Sequence, residues 1–351
     1  MGSLHPCGDV TSRVRGIIVR VMSWRAGSGA DESTAPGRTR AVLWRAVRPV
    51  VVVLLLAALG WAVTTRWGEV REVLGDLSAA TLVLAGVVAA AAYGCGFLAW
   101  RAILTDLGAA VPAAAAARIF FVGQLAKYLP GKVWPILLQS RLGRTYRVPG
   151  RVSAAAALLA MLVTLGTGML LTALTLPLFG GRVLDRFWWT PAVVPLALVT
   201  IWPPVLNRLL TRLLRLARRE PMPRPLSARG VGAALGWSVL SWLAYGVHLW
   251  LVVRDAGATG AALPLVSVGA FAGSWCLGFL LAVAPAGIGA REAALPLLLA
   301  GTVAAPVALV AAVVSRMLMT VVDLLCPLVA LLVERVGAAG VSAPGPPVAR
   351  G

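Results

Sequence analysis

Residues 127–132 have the sequence KYLPGK, and this short stretch decides how the chain is organised. Of the 32 basic residues in the chain only two are lysines, and both, Lys127 and Lys132, lie here. Between them Pro130 and Gly131 interrupt an apolar block, and such a pair is typical of a turn. A break inside an apolar block leaves backbone groups unpaired, so protein or water must surround it.

The composition around this break is that of a membrane protein. The chain has 351 residues, of which 59% are hydrophobic and only 13% are charged. Soluble domains have about a quarter of their residues charged, which is what a polar surface requires. The apolar residues form long uncharged blocks. This pattern predicts an all-α polytopic membrane protein of the cell membrane.

The net charge of +19 raises the question of nucleic-acid binding. The arginines, however, lie in short segments between apolar blocks, as is typical of cytoplasmic loops. They do not form a stripe interleaved with aromatic residues. Nucleic acid is therefore excluded as a partner, and anionic membrane lipids are favoured.

The sequence gives no sign of an enzyme or of a metal site. Its four cysteines are scattered, and it has only two histidines. These residues do not have the spacing of a zinc site. We also find no catalytic triad, phosphate-binding glycine loop or paired carboxylates, so we expect no cofactor, no metal and no catalytic activity.

Uncharged blocks predict about six full spans. The blocks are 49–65, 77–100, 152–181, 187–207, 230–253 and 305–333, the last interrupted by two charged residues. Arginine-rich loops at 140–151 and 207–229 place these segments and both termini on the cytoplasmic side. Residues 1–48 are predicted to be a disordered basic leader, with Met22 as an alternative start. Residues 49–335 form the membrane domain, and residues 336–351 are predicted to be a disordered tail.

Two further blocks do not fit a simple crossing. The block 112–139 begins and ends on the cytoplasmic side, which predicts a re-entrant hairpin of helices 113–128 and 132–139. The block 261–302 contains a second Pro/Gly break. If it is re-entrant from the opposite side, the two hairpins form an inverted repeat, as in several transporters. The alternative is that 261–284 and 288–302 both cross fully, giving eight helices.

The first break has the chemistry of an anion site. A helix that begins there directs unpaired N–H groups and a partial positive charge at the gap. Pro130 suits the first turn of that helix, Gly131 lets a phosphate approach the backbone, and Lys132 adds a full charge.

On the preceding helix, Gln124, Lys127 and Tyr128 share one face and would line the same gap. The alternative is that Lys127 lies at a shallow depth and extends to the lipid headgroups.

The second break is followed by charged residues within the membrane. Its predicted site residues are Pro285, Gly287, Gly289, Arg291 and Glu292. Arg316 and Asp323 are seven residues apart on one face of the last helix. Because isolated charges in a membrane are costly, we expect Arg291, Glu292, Arg316 and Asp323 to neutralise one another. Such a cluster serves either transport or a structural ion-pair lock between helices.

Two stretches resemble the signatures of a known family. GQLAKYLPGKVWPILLQSRLGR (123–144) and APAGIGAREAAL (284–295) are similar to motifs of the lysylphosphatidylglycerol synthase transmembrane-region family, also called the flippase-like domain family. The resemblance covers about 50–335. It implies that the chain binds and moves a phospholipid or a polyprenyl-phosphate-type lipid through the residues named above.

The resemblance also limits the activity that is expected. Full-length synthases of the family carry a separate C-terminal domain that transfers lysine from a charged tRNA. We expect this chain to be a stand-alone member that lacks that domain. The alternative function is a non-transporting scaffold or regulatory subunit for a lipid-modifying or glycosyl-transfer enzyme, recruited by the arginines of 207–229. The sequence does not specify the lipid, the direction, the energy source or the oligomeric state.

Overall fold

The computed structural model describes most of the membrane domain. It describes residues 64, 67–129, 133–179, 192–216, 220–222, 224–280, 287 and 289–341. The predicted leader, most of the first apolar block and the end of the predicted tail lie outside the described residues. So do four predicted site residues: Pro130, Gly131, Lys132 and Pro285.

All regular structure in the described part of the chain is helical. The α-helices are α1 (Trp67–Asp76), α2 (Ala79–Asp106), α3 (Ala113–Gln124), α4 (Trp134–Thr145), α5 (Gly150–Thr175), α6 (Val193–Ile201), α7 (Pro203–Leu216), α8 (Ala228–Asp255), α9 (Leu263–Leu280), α10 (Ala290–Leu299) and α11 (Ala305–Val341). Short 3₁₀ helices follow α3, at Leu125–Tyr128, and α5, at Leu176–Phe179. The prediction of an all-α protein is confirmed.

Five of these segments are long and apolar enough to cross a membrane. They are Ala79–Asp106, Gly150–Phe179, Ala228–Asp255, Leu263–Leu280 and Ala305–Val336. Their number confirms a polytopic membrane protein. The last helix, α11, continues to Val341, beyond the predicted end of the membrane domain at residue 335.

The two central helices, α2 and α8, cap each other reciprocally. Each has 28 residues and begins after a serine N-cap. The backbone N–H of Ser78, before α2, donates to Asp255 Oδ2 at the end of α8 (2.8 Å). The backbone N–H and hydroxyl of Ser227, before α8, donate to Asp106 at the end of α2 (2.6 and 2.7 Å). The helices therefore run antiparallel, with the symmetry expected of an inverted repeat.

Each central helix is followed by the same sequence of elements. After α2 come α3, the break and α4, and then the long helix α5. After α8 come α9, the second break and α10, and then the long helix α11. In each half, we call the helix before the break the first arm (α3 or α9) and the helix after it the second arm (α4 or α10). The second arms are about 18 and 15 Å long, whereas the hydrocarbon core of a bilayer is ~30 Å thick. α10 by itself is thus shorter than a bilayer core, whereas α9 is among the five segments long enough to cross it.

Two predicted segments differ from the structure. The second arm of the first pair runs from Trp134 to Thr145, rather than ending at residue 139, and has Pro135 in its first turn. The predicted role of Pro130 lies outside the described residues. The block 187–207, described from residue 192 onward, ends its helix α6 at Ile201. A proline at position 203 disfavours helical geometry in the residue before it, and Trp202 is extended. The amphipathic helix α7 then follows.

The close contact of α8 with α9 gives a test of the packing. A methyl group added at Gly246 would lie 2.7 Å from the Cα of Val268, so alanine there requires the helices to separate. We expect Gly246→Ala to lower the free energy of unfolding by about 1–3 kcal/mol. Gly236, on the same helix, has no atom within 4 Å of an added methyl group. Gly236→Ala should therefore be stabilising, by up to about 1 kcal/mol. Thermal unfolding in detergent measures both, and equal effects would contradict this packing.

Candidate functional site

Described residues next to both breaks line one cavity. Its volume is about 240 Å³, and α2–α5 and α8–α11 all contribute to its walls. The first break contributes Gln124 and Lys127, and the second contributes Gly287 and Arg291. α11 completes the wall with Arg316 and Asp323. Charged residues that lie far apart in the sequence therefore meet at a single space.

The first ion pair joins the first break to α11. Lys127 Nζ lies 2.6 Å from Asp323 Oδ1, and the Tyr128 hydroxyl donates to Asp323 Oδ2 at 2.7 Å. Asp323 is only 4% exposed. Both of its carboxylate oxygens thus have a partner, which offsets the cost of burying the charge.

The second ion pair fixes the second break. Arg316 Nε lies 3.2 Å from Glu292 Oε1, while Glu292 Oε2 accepts the backbone N–H of Gly289 at 2.6 Å. This second contact caps the start of α10. Gly289 has a φ of +84° and Gly287 a φ of +72°, a region that side chains other than glycine rarely adopt. The glycines allow the turn, and Glu292 holds it.

Arg291 is the cation that these pairs do not neutralise. Among the described residues, no carboxylate lies within salt-bridge distance of its guanidinium. Its described side-chain contact is with the ring of Phe271, whose centroid is 4.4 Å from the guanidinium carbon. The guanidinium carries five N–H donors and lines the cavity. An anion in the cavity would supply the missing partner.

These contacts correct the predicted four-residue cluster. Glu292 and Arg316 do pair, but Asp323 pairs with Lys127, and Arg291 lacks a carboxylate partner among the described residues. The reason is that the end of the first arm packs against α11, which brings Lys127 to Asp323. Lys127 and Asp323 are 196 residues apart in the sequence, so no local pattern indicated that they pair.

Nine of the thirteen predicted site residues lie within the described residues, and the structure brings them together. Gln124, Lys127, Gly287, Arg291, Arg316 and Asp323 line the cavity. Tyr128, Gly289 and Glu292 bond to groups of the same site. The roles of these residues in binding remain predictions, and those of Pro130, Gly131, Lys132 and Pro285 fall outside the described residues.

Sequence reasoning missed the aromatic and neutral polar walls of the cavity. Its aromatic residues include Tyr93, Trp100, Trp242, Tyr245, Phe271 and Trp275. Its neutral polar residues include Gln139, Thr164, Ser238 and Ser241. Most of these residues are unremarkable in membrane helices. Gln139 did offer a signal, because an amide within the apolar run WPILLQ must face protein or a cavity.

Comparison with known proteins identifies one family. The family model described as "Lysylphosphatidylglycerol synthase TM region" matches residues 46–326. That range includes both breaks and every charged residue that lines the cavity. Comparison with the curated proteins and with the solved structures returned no match.

Proposed function

Because the chain belongs to the lysylphosphatidylglycerol synthase TM region family, we propose that it is a membrane lipid translocase. Its substrate is a lipid with an anionic headgroup, either a phospholipid or a polyprenyl-phosphate-type lipid. The headgroup binds in the cavity between the two breaks. The observation that carries this proposal is the position of Arg291, which faces the cavity without a carboxylate partner among the described residues.

The cost of burying charge supports this assignment. A single charge near the centre of a membrane costs about 2.5–3.5 kcal/mol on insertion scales. Lys127 and Arg316 offset this cost through their ion pairs, whereas the partner of Arg291 within the described ranges is the Phe271 ring. A phosphate offsets it well, because the planar guanidinium can bind two phosphate oxygens at once.

The repeated architecture supplies a route for movement. In transporters built from inverted repeats, the binding site lies between the repeats and opens alternately to either side. Here the cavity lies between α3–α4 of one repeat and α9–α10 of the other. Movement of one repeat relative to the other exposes the headgroup to one leaflet and then to the other. The acyl or prenyl chains remain in the surrounding membrane.

A second candidate function, the non-transporting scaffold, has support from helix α7. Arg208, Arg212 and Arg215 share one face of this helix by their spacing. On other faces Leu209, Leu213 and Leu216 are exposed. A scaffold that uses this surface requires the α7 arginines and does not require Arg291.

Reconstitution tests the translocase proposal directly. The purified protein is placed in phosphatidylcholine vesicles that contain one labelled lipid at a time: acyl-labelled phosphatidylglycerol, acyl-labelled phosphatidylinositol, or polyprenyl phosphate labelled on its prenyl chain. A membrane-impermeant quencher then reports movement of label from the inner to the outer leaflet. We expect at least one anionic lipid to move faster than in protein-free vesicles, while labelled phosphatidylcholine does not. Rates equal to those of protein-free vesicles for all three lipids would contradict the proposal.

A further inference from the structure

In the part of the chain that the structure describes, the ionised groups around the cavity leave one positive charge. Among the described residues, three cations line it, and two carboxylates, those of Asp323 and Glu292, pair with two of them. The remaining positive charge belongs to Arg291. A headgroup with one negative charge neutralises the site, and a phosphodiester is such a group. A zwitterionic or cationic headgroup leaves the site positive.

Among the described residues, both carboxylates near the cavity are already paired with the protein's own cations, which leaves neither one free for a substrate amine. Both oxygens of Asp323 are engaged by Lys127 and Tyr128. Glu292 Oε2 accepts a backbone N–H, and its Oε1, which has no hydrogen-bond partner among the described residues, is held in an ion pair 3.2 Å from Arg316 Nε and does not line the cavity. Aromatic rings also bind ammonium groups, through their faces. Two rings of the cavity already have the protein's own cations over them. Arg291 lies over Phe271, and Lys127 Nζ lies 5.4 Å from the centroid of Tyr93. An added ammonium would thus meet repulsion without a carboxylate to offset it.

The rest of the wall suits a neutral group with several hydroxyls. Amides and hydroxyls there can both donate and accept hydrogen bonds, as the hydroxyls of a polyol do. Gln124, Gln139 and Thr164 contribute such groups. Ser238 and Ser241 also line the cavity, but the Ser238 hydroxyl is bonded to that of Thr167 and the Ser241 hydroxyl donates to the Ala92 carbonyl. Gln139 is 2% exposed, and its Oε1 has no hydrogen-bond partner among the described residues. The aromatic rings between these groups provide flat apolar surfaces for the C–H groups of a polyol or sugar ring.

Building on the proposed function, we infer that the translocated headgroup is a phosphodiester joined to an uncharged polyol. Glycerol, inositol and a hexose all have this chemistry. Arg291 binds the phosphate, and the wall around Gln139 binds the hydroxyls. The aminoacylated lipid in the family's name, whose headgroup carries amines, does not meet these requirements.

A panel of lipids tests this inference. Translocation rates are measured for four lipids in vesicles of the same composition. Phosphatidylglycerol and phosphatidylinositol have headgroups with an uncharged polyol, whereas phosphatidylethanolamine and lysylphosphatidylglycerol have headgroups with amines. We expect the first two lipids to move at least about tenfold faster, which corresponds to the selectivity of one unpaired buried polar or charged group. If lysylphosphatidylglycerol or phosphatidylethanolamine moves as fast as phosphatidylglycerol, the inference is wrong while the translocase proposal stands. If none of the four lipids moves faster than in protein-free vesicles but polyprenyl phosphate does, the inference is wrong and the translocase proposal stands. If polyprenyl phosphate does not move faster either, both are wrong.

A variant tests the hydroxyl-binding wall separately from the charge. Gln139→Leu removes the amide but keeps the charge of the cavity. We expect it to lower the rate of phosphatidylinositol relative to that of phosphatidic acid, which has no polyol, by several-fold. Because this is a ratio, it does not depend on how much of the protein is folded. Gln124→Leu gives the same test if Gln139→Leu does not fold. An unchanged ratio in a folded variant would overturn this part of the inference.

Discussion

Arg291→Gln is expected to abolish translocation of the anionic lipid without making the protein less stable. Removing one partner of a buried, hydrogen-bonded charge pair costs about 2–5 kcal/mol of binding, so the rate should fall by about a hundredfold or more. In the absence of lipid, however, Arg291 has no carboxylate partner among the described residues. Its buried charge therefore destabilises the folded state. The vesicle assay measures the rate, and thermal unfolding in detergent measures the stability.

Two further variants make this prediction specific. Arg291→Lys keeps the charge but loses the planar pair of donors, so we expect a smaller loss of rate, of about tenfold. Arg254→Gln removes an arginine that is exposed at the end of α8 and does not line the cavity. It should not change the rate, and it should lower the free energy of unfolding by no more than about 1 kcal/mol, because Arg254 lies over the Trp250 ring in the last turn of α8. A wild-type rate for Arg291→Gln would contradict the binding role of Arg291 and would favour the scaffold function.

The sequence predicted the breaks and most of the charged residues because both carry local signals. Proline and glycine within an apolar block mark an interrupted helix wherever it lies, and a charge in such a block is costly in any arrangement. These two arguments led to Lys127, Arg291 and Asp323 without knowledge of the packing. The capping role of Glu292 at Gly289 is local in the same way, since the two residues are three positions apart.

The partners of the charged residues could not be predicted in the same way. The pairing of Lys127 with Asp323 depends on how the first arm packs against α11, and helix packing is not encoded in a short motif. The aromatic wall was missed for a similar reason. Trp242 and Tyr245 face the cavity, but the same residue types occupy the apolar interior of many helices. Without the packing, nothing distinguishes a ring in the core from a ring at a binding site.

Asp323→Ala is expected to have the largest effect on stability of any single change in the site. It leaves Lys127 and the Tyr128 hydroxyl without the carboxylate to which both are bonded. Breaking a buried ion pair by removing one partner costs about 3–5 kcal/mol, because the remaining charge is left uncompensated. Lys127→Met should destabilise the protein for the converse reason. Thermal unfolding of the purified variants in detergent measures both effects.

The double variant Lys127→Met/Asp323→Leu separates the structural role of this ion pair from its role in transport. Replacing both partners by apolar residues removes the buried charges together, so the stability should return to within about 1 kcal/mol of wild type. The net charge of the described cavity residues stays at one positive charge, that of Arg291, and we therefore expect the translocation rate to stay within about tenfold of wild type. A double variant as unstable as Asp323→Ala would show that Lys127 and Asp323 do not contribute to stability only through their ion pair with each other. A stable double variant without translocation would show that Lys127 itself contacts the lipid, and that one positive charge is insufficient for binding.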